Sequence, residues 1–338
     1  MGLRRGLLAI GRRTGAWRLP AAWHGPRRLT VLAYHRIVDA DAAGFRGYVG
    51  NASAAPDEFS AQIDWVTRHF TPVTLADVAA ALEGGPLPHR PLLVTFDDGY
   101  RDNLTTALPV LERHGARAAV FLATDHIGTG EPFWWDRAAS CITAAADQRV
   151  RLPLVGEVSL GPDRHPVIRT WVRRAKTVSD AEMRAAVDAL PGILGVSEPG
   201  SGMAGTLLDW SDVAAMAARG VEFGAHTCRH PILTRVDPSR AVAEISGSVA
   251  RVADAIGRTP LGFAYPNGQR ADVDAGVESA VASTEVKLAF TLVPGPARWS
   301  DVMQRPLRIR RIYIHHGDGL DRFIAKVSGV PRFVKALR

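Results

Sequence analysis

Two short clusters carry the residue types that metal-assisted hydrolysis needs. In Thr95-Phe96-Asp97-Asp98-Gly99 a pair of carboxylates follows the apolar run PLLVTF, which has the character of a strand buried on both faces. Neighbouring side chains at a strand end point in different directions, so the two acids can take different tasks. His226-Thr227-Cys228-Arg229-His230 also follows an apolar segment. Imidazoles at this spacing can converge on one cation if the backbone turns helical there. Two histidines and one carboxylate leave open positions for water and substrate. Such a site polarises a carbonyl and lowers the pKa of bound water, as amide hydrolysis requires. A third segment, Phe263-Ala264-Tyr265-Pro266-Asn267-Gly268, ends in a Pro/Gly turn whose N–H groups could face a developing oxyanion. Each cluster also has a plain reading. Asp98-Gly99 can be a turn that closes a strand, a single histidine is usually a satisfied polar residue, and most Pro/Gly turns only reverse the chain.

The elements that must position these residues alternate in type. Strands are predicted at 29–37, 91–100, 116–124, 221–227, 261–268, 287–293 and 307–316. Helices are predicted at 57–70, at 74–85 ending in a glycine pair, after 100 to about His114, and near 209–219, 237–256 and 270–284. This alternation argues a parallel α/β sheet or barrel. Residues 140–208 fit it poorly and read as an insertion into a single domain over 29–325, with one helical stretch around 178–190.

Composition narrows the class. The 338 residues are 46% hydrophobic and 22% charged, as in soluble globular proteins. No run approaches the roughly 18 apolar residues that span a bilayer. Residues 1–28 form a basic arm and 326–338 a tail. The arm's apolar patch, Leu7 to Ile10, is short for a secretory signal. It reads as a flexible leader, a targeting segment or a membrane-surface arm. A cytoplasmic location, with peripheral membrane contact through the arm, is the expectation. Much of the net charge of +7 sits there, and no basic helix with interleaved aromatics follows, so nucleic acid is not an expected partner. Cys141 and Cys228 fit neither a disulfide framework nor a zinc-thiolate pattern.

Taken together, TFDDG at 95–99, the His226-Thr227-x-x-His230 motif followed by Pro231 and Leu233, and FAYPNG at 263–268 resemble the polysaccharide deacetylase family. This is carbohydrate esterase family 4, with its nodulation-protein-B homology domain. The resemblance covers roughly 29–135 and 207–315 and implies a distorted (β/α)7 barrel. It implies Asp97 as general base and Asp98, His226 and His230 as ligands of a divalent metal (zinc, with cobalt or nickel as alternatives). It also implies that Thr227 steadies the loop and that the Asn267 N–H holds the oxyanion, flanked by Pro266 and Tyr265.

Two departures stand out. The family's arginine in the proline-glycine motif is replaced by Ala264, and Arg311 on a late strand is the candidate substitute. The general-acid histidine usually comes late, as His315 or His316 would. Leu32-Ala33-Tyr34-His35 matches its motif better and resembles the family's circularly permuted branch, so His35 is the expected acid.

The resemblance implies hydrolysis of N-acetyl groups on an amino-sugar glycan, as in exopolysaccharide biosynthesis. Hydrolysis of a non-sugar amide, imide or formamide, or a non-catalytic glycan- or membrane-binding role, are the rivals. Trp134, Trp135 and Tyr265 could give sugar-stacking surface or simply pack the core. Oligomeric state is not legible.

Overall fold

Strands rich in Val, Leu, Ala and Phe with both faces covered must close on themselves or be sandwiched by helices; here both happen. The computed structural model describes residues 28–42, 45, 47–197 and 205–329. Apart from Arg28 the basic arm lies outside the described residues, as does the tail beyond 329.

Seven parallel strands form the barrel: β1 (Arg28–Tyr34), β2 (Pro91–Asp98), β3 (Ala118–Leu122), β4 (Glu222–Ala225), β5 (Gly262–Ala264), β6 (Leu288–Pro294) and β7 (Ile309–Tyr313). Neighbours pair in chain order, and β1 pairs with both β2 and β7, which closes the ring. The closing register runs from Thr30 opposite Leu92 to Tyr34 opposite Phe96. The expected seven-stranded (β/α) barrel is therefore the observed fold.

Strand side chains alternate between two faces, and they sort into two cores. Leu29, Val31, Leu93, Ala119, Phe121, Phe290 and Ile309 gather in one buried cluster inside the barrel. Leu32, Tyr34, Val94, Phe96, Val120, Leu122 and Ile312 belong to another, packed under the helices. Helices α1 (Pro56–His69) and α2 (Leu75–Leu82) precede β2, and α3 (Leu108–Arg113) precedes β3. Helix α1 starts with a proline and two acids and ends in Arg68-His69, matching its dipole. Thr74 and Asp77 cap α2 reciprocally.

Between β3 and β4 come α4 (Trp134–Ala144), a hairpin pairing 148–152 with 156–160, α5 (His165–Ala175), α6 (Asp180–Leu194) and α7 (Trp210–Ala218). Trp135, Ile142, Trp171, Val187 and Leu190 are among the residues of a separate buried cluster there. Within 140–208 only the helix around 178–190 is expected from sequence. Helix α5 is hidden there because His165-Pro166 and three arginines mask an apolar stripe at Ile168, Trp171, Val172 and Ala175. The barrel resumes with α8 (Pro238–Ile256), α9 (Ala275–Ala282), α10 (Trp299–Gln304) and α11 (Gly319–Val327). Among the described residues no helix is long and apolar enough to cross a membrane.

At Gly224 on β4, a Cβ would lie 2.5 Å from the Gly262 carbonyl oxygen and from the Phe121 ring. We expect Gly224→Ala to cost about 1–3 kcal/mol through overpacking, read as a lower urea midpoint; an unchanged midpoint would contradict this packing.

Candidate metal centre and its surroundings

Strand β2 delivers both acids to the C-terminal end of the barrel, where parallel α/β barrels build their sites. Asp97 keeps strand geometry and is buried, whereas Asp98 adopts φ +79° and turns elsewhere. The adjacent acids thus enter two different environments.

Asp98 Oδ1 lies 3.5 Å from Nε2 of His226 and 3.5 Å from Nε2 of His230. Potential ligand atoms of the three residues all fall within 4.8 Å of one another. His226 Nδ1 donates to the Ala264 carbonyl at 2.6 Å, which orients the ring so that Nε2 is the nitrogen aimed at Asp98. Asp98 Oδ1 is buried with no hydrogen-bond partner, while its other oxygen accepts from Asn51 Nδ2 at 3.3 Å. A buried carboxylate oxygen without a donor, facing two imidazoles, is a donor set suited to zinc, cobalt or nickel. Burial alone would raise the Asp98 pKa, but the facing His35, His226 and His230 outweigh it and hold it below the usual carboxylate range. Burial pushes His230 well below its ordinary value, so it is neutral and able to ligate.

The loop carrying the histidines is not helical, contrary to the expectation from their spacing. Thr227 and His230 both have positive φ. The Thr227 hydroxyl donates to the His226 carbonyl at 2.5 Å and accepts from the His230 N–H at 3.0 Å. Its β-hydroxyl folds the loop tightly enough to bring both rings together. From α8, a Glu244 oxygen accepts the N–H groups of Cys228 and Arg229 at 2.9 and 2.8 Å. Glu244 was missed from sequence, although a carboxylate within the buried stripe of Ala241, Ile245 and Ser248 is a signal that it has a partner. The loop is cradled further by rings: Trp135 meets His230 edge-on at 4.7 Å and stacks on Phe133 at 4.6 Å.

Arg311 on β7 reaches through the barrel interior to Asp97. Its Nη1 and Nη2 donate to the two carboxylate oxygens at 2.6 and 2.7 Å. Nη1 also reaches the Thr95 hydroxyl at 3.1 Å, and Nε donates to the Thr291 carbonyl at 3.2 Å. Burial would raise the Asp97 pKa, yet the Arg311 guanidinium brings it below the ordinary value.

His35, just past β1, places Nε2 3.9 Å from Asp98 Oδ2. Its backbone is pinned by Ser53, whose hydroxyl accepts from the His35 N–H at 2.9 Å, and by Asn103 Nδ2, which donates to its carbonyl at 2.8 Å. Asn103 opens a π-helical turn at 103–107 that precedes α3. His315 packs on Tyr313 and His316 meets Asp41 at 3.1 Å, both toward the rim. His35, Asp97, Asp98, His226, His230 and Asn267 line one cleft of about 900 Å³.

Asn267 has φ +58°, and its side chain donates to Asp272 at 2.7 Å. Pro266 is buried, and its carbonyl accepts from the Gly268 N–H at 2.6 Å. Tyr265 is a correction to the sequence reading. It is wholly buried in the outer core, with its hydroxyl donating to the Leu307 carbonyl at 2.9 Å, and offers no face to a sugar. Trp135 is likewise a packing residue, tied through Nε1 to the Tyr100 hydroxyl at 2.9 Å. Trp134 is only partly buried and lines a smaller neighbouring pocket with Lys176, His230 and Asn267.

The sequence profile described as polysaccharide deacetylase matches residues 84–288. A protein of Bacillus subtilis (strain 168) named as a polysaccharide deacetylase, YxkH, is 32% identical over 106 residues, 30% of this chain and 34% of the relative. The poly-beta-1,6-N-acetyl-D-glucosamine N-deacetylase of Staphylococcus epidermidis is 34% identical over 82 residues, 24% of this chain and 28% of that one. This chain therefore aligns with about a third or less of these relatives' length. The structure of IcaB from Ammonifex degensii superposes with a TM-score of 0.57 at 18% identity, covering 88% of this chain and 96% of that one, a likeness of fold.

Zinc titration of the purified chain should give one tight site that Asp98→Asn or His230→Ala weakens by about 100-fold or more. Undiminished binding in either variant would show that the ion sits elsewhere. Glu244→Gln, which removes the loop's charged acceptor but no ligand, should weaken binding by about 10-fold.

Proposed function

The chain belongs to the polysaccharide deacetylase family, and we propose that it is a metal-dependent hydrolase that removes N-acetyl groups from an amino-sugar glycan. The reading is carried by one juxtaposition: the Asp98–His226–His230 cluster opens into the same cleft as a second carboxylate, Asp97, that Arg311 keeps ionised. A divalent cation in that cluster would supply Lewis acidity toward an acetyl carbonyl and lower the pKa of water beside it.

The protein's own groups account for the remaining steps. Asp97 is oriented by two parallel hydrogen bonds from Arg311, so its carboxylate has little freedom and remains ionised near neutral pH. It accepts the proton of the attacking water. His35 stands on the other side of Asp98 and delivers a proton to the departing amine nitrogen. Burial lowers the His35 pKa more than Asp98 and Asp97 raise it, leaving it below the ordinary imidazole value, so its charged form depends on those carboxylates. The backbone N–H of Asn267, whose residue lines the cleft and is anchored through its side chain to Asp272, would donate to the oxygen that gains charge. The sequence relative from Staphylococcus epidermidis, named for a poly-N-acetylglucosamine substrate, supports a glycan over a small amide.

Acetate release from a panel of N-acetylated oligosaccharides and cyclic imides tests the assignment; turnover confined to imides would replace the sugar reading. Asp97→Asn should lower kcat by about 10³-fold or more while retaining zinc, and parallel loss of zinc would mean the acid roles are misassigned. His35→Ala should cost about 10²–10⁴-fold in rate with the fold intact, whereas near-normal rates would move the proton-donor role to His315 or His316.

A further inference from the structure

Helix α5 and the Lys176 that caps its C-terminus contribute His165, Arg169 and Lys176 to the lining of the cleft that holds Asp97 and Asp98. At about 100° per residue these positions fall within roughly 40° of one stripe, and the eleven steps from His165 to Lys176 cover about 16 Å. Arg173 stands beside the stripe and is exposed. Tyr48, another lining residue, has its hydroxyl pKa pushed up by burial and drawn back by the nearby charges of Arg169 and Arg173.

The acids lining the cleft do not neutralise this row. Asp41 meets His316, Asp97 is clamped by Arg311, and Asp98 faces the imidazoles of the candidate metal site. Burial lowers the Lys176 pKa, and Asp98 and Asp272 only partly oppose that; Asp272 already accepts from Asn267 and from the Gln269 N–H, so an incoming anion would favour the charged ammonium. Among the described residues neither Arg169 nor Lys176 forms an ion pair.

We propose that this cationic row is a subsite for an anionic glycan, in which N-acetylated sugars are interspersed with units bearing carboxylate or phosphate groups that Arg169 and Lys176 bind. The inference rests on the deacetylase reading and narrows its substrate class. A neutral N-acetylated polymer becomes a polycation as its acetyl groups are removed, and a positive wall would repel it; built-in anions would offset that charge. Lys176 is half-buried and lines a pocket with His230 and Asn267, too deep for a membrane surface that could meet Arg173 or Arg174.

The test compares zinc-loaded full-length protein on N-acetylated oligosaccharides of equal length that are neutral, alternate with uronic acid, or carry phosphate. One anionic series should exceed the neutral one by about tenfold in kcat/KM at low ionic strength, and the better of the two identifies the anion. The advantage should shrink with added salt. Arg169→Gln and Lys176→Gln should each reduce the anionic-to-neutral ratio by up to about fivefold. Calorimetric binding to the Asp97→Asn protein gives an answer that does not require turnover. If nothing is hydrolysed but anionic oligosaccharides still bind in an Arg169-dependent way, the deacetylase reading falls and the subsite stands. Equal preference for neutral and anionic glycans, or a ratio indifferent to both substitutions, overturns the subsite. So does salt-sensitive binding to phosphatidylglycerol vesicles with no affinity for the anionic oligosaccharides.

Discussion

Arg311 and Asp97 come from strands on either side of β1, and their side chains meet inside the barrel with almost no exposed surface. Taking both charges out of water is costly, and such pairs persist where geometry and further hydrogen bonds offset the penalty. Here the fork is bidentate, and Thr95 and Thr291 accept two further N–H donors of the guanidinium. The pair fixes β7 against β2, keeps Asp97 charged at the base of the cleft, and sets the direction from which water can approach it. Losing either partner would weaken a buried contact, while the ring itself is closed by the β1–β2 and β1–β7 ladders, so the pair chiefly sets the poise of the candidate base.

The adjacent acid shows how one strand end can serve two purposes. Asp98 departs from strand geometry at φ +79° and leaves the arginine's reach for a ring of imidazoles. Of the six described non-glycine residues with positive φ, four are Asp98, Thr227, His230 and Asn267. Backbone of this kind costs free energy and persists where surroundings over-determine it. Those surroundings are specific: Glu244 holds the histidine loop, Asp272 holds the Asn267 turn, and Trp135 backs His230. The rigidity of the cleft floor is thus supplied by residues that would touch neither metal nor substrate.

The segment between β3 and β4 adds a second core and a wall to the cleft. Trp171 and Leu190 are buried in a cluster of its own, while Arg169 and Lys176 line the cleft. The candidate metal centre and the charged wall thus come from separate parts of the chain.

Short-range chemistry was legible in the chain itself. The apolar runs announced the strands, TFDDG and His226-Thr227-x-x-His230 announced the acids and imidazoles, and the alternation of strands and helices implied a parallel α/β sheet or barrel, because each of these is a local pattern of spacing and polarity. Only tertiary structure brought Arg311 to Asp97 across 214 positions of sequence and Glu244 under the histidine loop. It also withdrew Tyr265 into the core and turned α5 so that its cations face the cleft. Those outcomes depend on strand register, helix rotation and competition for burial. None of them is encoded in the spacing of a few neighbouring residues; all are settled when the ring of strands closes and fixes which side chains share an interior.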